Sequence, residues 1–233
     1  MKSFILLGFF LTLNFANARE KIVGGEPALS DGQIARTTVM IIGQLEKSQY
    51  ICTGSILDKD MIVTAAHCLK AKPEKLRLVF GTETRVVDGY IRAKYDDIGL
   101  IRVHGGIPSV FQPAKLFSGS LRAGDPVIVA GFGITNAKTG SGAGTLREAE
   151  VKIESALGET EVLIDQSVGR GACHGDSGGP AYAINGNQLL LWGVISRAYS
   201  EMADDDCAHG VVYLRIAAFD SWIRQAVRKL RED

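Results

Sequence analysis

Apolar side chains along this chain gather into short runs with few helical stripes. Residues 37–42, 50–57, 76–80, 98–103, 127–130, 189–195 and 211–216 are rich in Val, Ile, Leu and Thr, and segments carrying Gly, Asn and Lys separate them. Such runs predict β-strands joined by turns. Without helical periodicity between them, they point to an all-β sandwich or closed barrels and away from a parallel α/β sheet. The end of the chain differs. Over residues 217–230, Phe219, Trp222, Ile223, Val227 and Leu230 recur at helical spacing, with Arg224, Lys229 and Arg231 on the other side or at the end. This predicts one amphipathic C-terminal helix that packs on the domain surface.

The N-terminus follows a third pattern. Lys2 precedes the apolar run 4–13, and the small-residue triplet Ala16-Asn17-Ala18 follows it. That is the anatomy of a secretory signal peptide, with cleavage expected after Ala18. The run is too short for a bilayer, which needs about 18 or more apolar residues. Export would release the mature protein into the periplasm or the medium. The four cysteines, Cys52, Cys68, Cys173 and Cys207, are an even number in an exported chain and form no C-x-x-C pair. They favour two disulfides over metal ligands, and three connectivities remain open.

Composition adds limits. With 26 basic and 26 acidic residues in 233, nothing in the charge argues for nucleic acid or an anionic membrane surface. Twenty-seven glycines and 46% hydrophobic residues suit one large domain or two small ones with many tight turns. The glycine-bearing segment 138–145 lacks the Lys and Ser/Thr of a phosphate-binding loop and is expected to be a flexible loop.

The candidate chemistry lies in Gly175-Asp176-Ser177-Gly178-Gly179-Pro180. A serine hydroxyl is a weak nucleophile and needs a base beside it, plus donors for the oxyanion formed when it attacks a carbonyl. Glycines around it allow a tight turn that gathers the N–H groups of Gly175 and Ser177. Upstream, Thr64-Ala65-Ala66-His67-Cys68 ends an apolar run and would hold a base rigidly. Asp97-Ile98-Gly99-Leu100 starts a strand with a carboxylate able to fix an imidazole in one tautomer.

These segments resemble the T-A-A-H-C, D-I-A-L and G-D-S-G-G-P signatures of the chymotrypsin/trypsin family of serine proteases, in that family's order. Ile22-Val23-Gly24-Gly25 resembles the family's mature N-terminus, and Cys52-Thr53-Gly54-Ser55 and Gly131-Phe132-Gly133 resemble two further segments. The resemblance covers nearly everything from Ile22 to the C-terminal helix. It implies two packed six-stranded antiparallel β-barrels with a C-terminal α-helix, an active site in the cleft between them, and no cofactor or metal. It implies disulfides Cys52 to Cys68 and Cys173 to Cys207. His67, Asp97 and Ser177 would be the catalytic triad, and Gly175 and Ser177 the oxyanion donors. Residues 19–21 would be a propeptide, and cutting after Lys21 would free the Ile22 amine to pair with Asp176.

By the same resemblance, Ser196 supports the aspartate, and residues 196–198 pair with substrate backbone as an added strand. Arg197 stands where the family has tryptophan. His174 would line the pocket rim, and His104 and His209 would be solvated. The residue six before the serine, Gly171, would floor the primary pocket, with Ala198 and Val211 on its walls. Without the aspartate of trypsin-like members there, an uncharged residue is expected before the scissile bond, small or medium apolar first. The rival is that Asp204, Asp205 or Asp206 reaches the pocket and restores basic specificity. Protein or peptide substrates, an activating protease and protein inhibitors are the implied partners, and the enzyme would act as a monomer. An α/β-hydrolase esterase shares G-x-S-x-G but places its Asp and His after the serine. A non-catalytic homologue would normally lack a triad residue.

Overall fold

The computed structural model describes residues 22–199 and 207–232. The expected signal peptide and propeptide, and Asp204 to Asp206, lie outside them. Among the described residues thirteen strands run in order: β1 (Glu26–Pro27), β2 (Thr38–Gln44), β3 (Gln49–Asp58), β4 (Met61–Thr64), β5 (Leu76–Phe80), β6 (Glu83–Arg92), β7 (Gly99–Val103), β8 (Pro126–Gly131), β9 (Arg147–Ala156), β10 (Glu161–Asp165), β11 (Pro180–Asn185), β12 (Gln188–Ala198) and β13 (Val211–Arg215). A five-residue helix α1 (Gln33–Thr37) precedes β2, and α2 (Asp220–Glu232) ends the chain.

Every pairing between these strands is antiparallel. Strands β2-β3-β4-β7-β6-β5 close one six-stranded barrel. In the second sheet, β8 pairs with both β11 and β9, so β8-β9-β10-β13-β12-β11 also closes, with β1 appended to β9. Two six-stranded barrels and a C-terminal helix therefore make up the fold. Alternation drives it: Leu76, Leu78 and Phe80 of β5 point inward between Arg77 and Val79, as do Ala149, Val151 and Ile153 of β9 between Glu148, Glu150 and Lys152.

A separate core welds the barrels. Met61 and Val63 of the first meet Tyr182, Val194 and Leu214 of the second, and Phe219, Ala226 and Leu230 pack on the same cluster. The Tyr182 hydroxyl, buried in this seam, bonds Thr37 Oγ1 at 2.7 Å and Thr38 Oγ1 at 3.2 Å. Helix α2 is pinned at its end, where Arg231 pairs with Asp58 and Asp60 and Arg102 donates to the Leu230 carbonyl. No helix among the described residues is long and apolar enough to cross a membrane.

Two of the boundaries that differ from the pattern have a local cause. Thr37 closes α1 and does not open β2, because its hydroxyl bonds the Gln33 carbonyl one turn back. The helical stretch from 217 starts as a 3-10 turn, Ile216–Phe219, and only Asp220–Glu232 is α-helical. Here Ile216 and Phe219 are both buried, and the tighter turn drives two apolar side chains three apart into one seam.

Candidate active site

The fully buried strand β4 delivers the chain to Ala65, and one 3-10 turn, Ala66–Leu69, follows. Its Cys68 and Leu69 are buried, Cys68 is disulfide-bonded to Cys52 of β3, and His67 faces out. Register brings the aspartate to it. Thr64 of β4 pairs with Gly99 of β7, so Asp97, two residues before Gly99, lies beside the turn that follows Thr64. Gly99 permits the close approach, since a Cβ there would stand 2.5 Å from Leu69 Cδ1.

Asp97 grips both ends of His67. Oδ1 accepts the His67 backbone N–H at 2.9 Å and Oδ2 meets Nδ1 at 2.8 Å. Because Nδ1 faces an acceptor, it carries the proton and Nε2 keeps its lone pair. Ser196 Oγ also donates to Oδ2, at 2.7 Å. Burial works to raise the Asp97 carboxyl, but the bonds from His67 and Ser196 prevail and hold it below the ordinary aspartate value. Asp96 has no part in these bonds.

His67 and Ser177 line one cleft, together with His174, Gly175, Ile134 and Cys52. The serine loop is fixed on several sides. Gly178 N–H donates to the Ile195 carbonyl at 2.8 Å, and Ile195 N–H donates to Gly179 at 2.9 Å. Gly178 has φ +79°, and a Cβ there would meet Thr64 Oγ1 at 2.0 Å and the Thr53 carbonyl at 2.5 Å. Gly178→Ala is expected to destabilise the fold by about 2 kcal/mol or more, from left-handed strain and a backbone collision, measured as a lowered Tm.

Asp176 is wholly buried, and Gly133 N–H and Cys173 N–H donate to it at 2.7 and 2.8 Å. Gly131 and Gly133 stand where they do because a Cβ at either would fall within 2.6 Å of this carboxylate. Burial pushes the Asp176 carboxyl up to about 6 despite those two donors.

Around the expected primary pocket, Gly171 is buried with φ +147°. The space a side chain would take there holds the carboxamide of Gln166, 2.2 Å from a Cβ. Gln166 is fully buried, donates to the carbonyls of Ala172 and Cys207, and accepts Ala172 N–H at 2.7 Å. Sequence reasoning missed this residue, which belongs to no motif. Cys207 is disulfide-bonded to Cys173. Ala198 and Val211 are cross-strand neighbours, Val211 buried in the second barrel's core. Strand β11 pairs with β12 only as far as Val194, so residues 196–198 keep one edge free of strand pairing. Arg197 turns to an ion pair with Glu161, both terminal guanidinium nitrogens donating. His174 lies in the cleft, whereas His104 is exposed and bonds Asp88 at 2.6 Å.

The family model described as Trypsin matches residues 22–223. The chain belongs to the trypsin family. A relative from Vespa crabro, chymotrypsin-2, is 31% identical over 209 residues, covering 78% of this chain and 91% of its own. Serine protease SP24D of Anopheles gambiae is 26% identical over 90% of this chain and 82% of its own. Trypsin epsilon of Drosophila erecta is 26% identical over 90% and 89% respectively. As a trypsin-family protein the chain is a serine-type endopeptidase acting on protein substrates.

Proposed function

We propose that the protein is an exported endopeptidase, made as an inactive precursor and switched on by cleavage after Lys21, with His67, Asp97 and Ser177 as its triad. The observation that carries this reading is the bond from His67 Nδ1 to Asp97, which leaves Nε2 as a base in the same cleft as Ser177. In this reading Nε2 takes the Ser177 proton as Oγ attacks the peptide carbonyl, and the Gly175 and Ser177 N–H groups hold the oxyanion. The imidazolium, stabilised by Asp97, then protonates the leaving amine. Water enters by the same route and hydrolyses the acyl-serine.

Export rests on the leader-like residues 1–18 and fits the two disulfides, which persist in oxidising compartments. Residues 19–21 are the propeptide, 22–233 are the protease domain, an outside protease and protein inhibitors are its regulators, and the enzyme works as a monomer. A fluorophosphonate probe tests the centre: after cleavage at Lys21 it is expected to label the protein once, on Ser177, and labelling elsewhere or none would sink the assignment.

For specificity, the neutral Gln166 carboxamide beside Gly171 supports an uncharged residue before the scissile bond. A substrate cation there would meet no compensating charge from either residue. Chromogenic peptides ending in Ala, Val, Leu, Phe, Lys and Arg are expected to react fastest with the small or medium apolar residues. Gly171→Asp alone is not expected to raise cleavage after Lys or Arg, because the carboxylate's place is taken, and it should lower Tm. A dominant Lys or Arg rate in the unaltered enzyme would overturn the reading and point to residues 204–206.

A further inference from the structure

Thr53, on β3 of the first barrel, is fully buried and touches the serine loop of the second barrel. Its hydroxyl donates to the Gly175 carbonyl at 3.0 Å and accepts the Phe132 N–H at 3.1 Å. An amide N–H can only donate and a carbonyl only accept, so the hydroxyl proton has one direction available. Its own backbone N–H donates to the Ser177 carbonyl at 2.9 Å, and its carbonyl is held by Thr64 Oγ1 at 2.8 Å. One residue thus grips the carbonyls of both residues that supply the oxyanion N–H groups.

We infer that Thr53 is a positioning residue for the oxyanion hole, a side-chain clasp from the first barrel that sets the orientation of the Gly175 peptides; this rests on the triad reading above. Gly175, at φ +98°, has the torsional freedom that would let its N–H swing away from a substrate carbonyl. The peptide after it is locked at both ends, its carbonyl by the Thr53 hydroxyl and its N–H, that of Asp176, by the Cys173 carbonyl at 3.0 Å. The peptide before it is locked through the His174 carbonyl, which accepts Ile134 N–H at 2.8 Å. In a trans peptide the C=O and N–H point oppositely, so that bond aims the Gly175 N–H away from Ile134. With both flanking planes fixed, the donor direction is fixed too, before any charge develops on the substrate.

The test compares enzyme activated to start at Ile22, titrated for active serines, in the unaltered form and as Thr53→Val and Thr53→Ser. Valine keeps the shape and removes the hydroxyl; its expected effect is a loss of kcat of about tenfold with KM nearly unchanged, the scale of one lost buried hydrogen bond. Serine keeps the hydroxyl and should restore kcat to within about threefold. A peptide aldehyde, whose hemiacetal oxygen occupies the oxyanion hole, should lose affinity for Thr53→Val in parallel with kcat. If Thr53→Val fails to fold, Thr53→Ala makes the same comparison without the added methyl. Unchanged kcat in Thr53→Val, or equal losses in the valine and serine variants, would overturn the inference. An unaltered enzyme that neither hydrolyses peptides nor takes the fluorophosphonate would instead overturn the triad reading, whatever Thr53 does.

Discussion

Replacing Ser177 by alanine is expected to leave export and folding intact and to lower kcat by about 10⁵-fold or more, to the residue of catalysis that oxyanion donors and binding give alone. His67→Ala should fall to a similar floor, since without Nε2 the hydroxyl has no acceptor for its proton. Asp97→Asn should lose about 10⁴-fold. The asparagine amide would present a donor to Nδ1, turning the imidazole to the tautomer whose Nε2 is protonated and cannot act as base. The Ser196 hydroxyl, which now donates to Asp97 Oδ2, cannot restore the Nδ1-protonated tautomer by itself. Steady-state kinetics on one apolar chromogenic peptide, with Tm measured alongside, checks all three. Near-normal turnover in Ser177→Ala would remove the assignment outright.

The second large effect concerns the N-terminus. Protein that retains Lys21 is expected to hydrolyse peptides about 10² to 10³-fold more slowly than protein starting at Ile22, the scale of losing an oxyanion donor. The reason is Asp176, a buried carboxylate that two backbone N–H groups solvate only in part. A carboxyl held at about 6 and not at the ordinary 3.8 sets roughly 3 kcal/mol against its ionised form at neutral pH. An α-ammonium from Ile22 beside it would remove that penalty and so raise the share of protein that holds Gly175 and Ser177 in the arrangement described above.

Two pH effects follow from the signs. In the uncleaved chain the Asp176 value lies above its unfolded one, so its contribution to stability is present below about pH 4 and is lost as pH rises toward about 6. Asp97 runs the other way, its depressed value adding stability that is lost as pH falls. The difference in Tm between uncleaved and cleaved protein cancels Asp97 and isolates Asp176; it should widen from pH 4 to pH 6. In the cleaved enzyme, pairing with Asp176 should raise the amine above its ordinary value of about 8, so on the alkaline side activity should hold to about pH 8 and decline only above the raised value, as the ammonium loses its proton. Active enzyme whose N-terminal sequence begins at Arg19, or an unchanged rate when Lys21 is replaced by an uncleavable residue, would rule this mechanism out.

Much of the fold was legible in local pattern. The runs at 76–80, 98–103, 127–130 and 211–216 became β5, β7, β8 and β13 with boundaries shifted by one residue at most, because each alternates or is mostly apolar and is bounded by turn residues. The strictly alternating stretch Glu148-Ala149-Glu150-Val151-Lys152-Ile153 carries the same signal for β9, although its charges give it the look of a solvated segment. Strands β6 and β11 announce themselves less clearly, since half-exposed faces and, in β11, a leading proline dilute the pattern.

By itself the sequence determined the candidate chemistry: a serine among glycines, a histidine after an apolar run and an aspartate at a strand start, in one order, together with the balanced charge and the even cysteine count. These are legible because each demand is local, made by a residue type or a turn on its immediate neighbours. Tertiary structure decided what depends on register and closure. The Thr64 to Gly99 pairing carries Asp97 to His67 across thirty residues of chain, and the join between barrels puts Thr53 against Gly175. Packing turned Gln166 onto the site of Gly171, and burial made Asp176 a carboxylate that ionises reluctantly. No residue's identity encodes these contacts, because they arise between segments whose separation in space is set only when both barrels have closed and the buried polar groups have found the partners that burial requires.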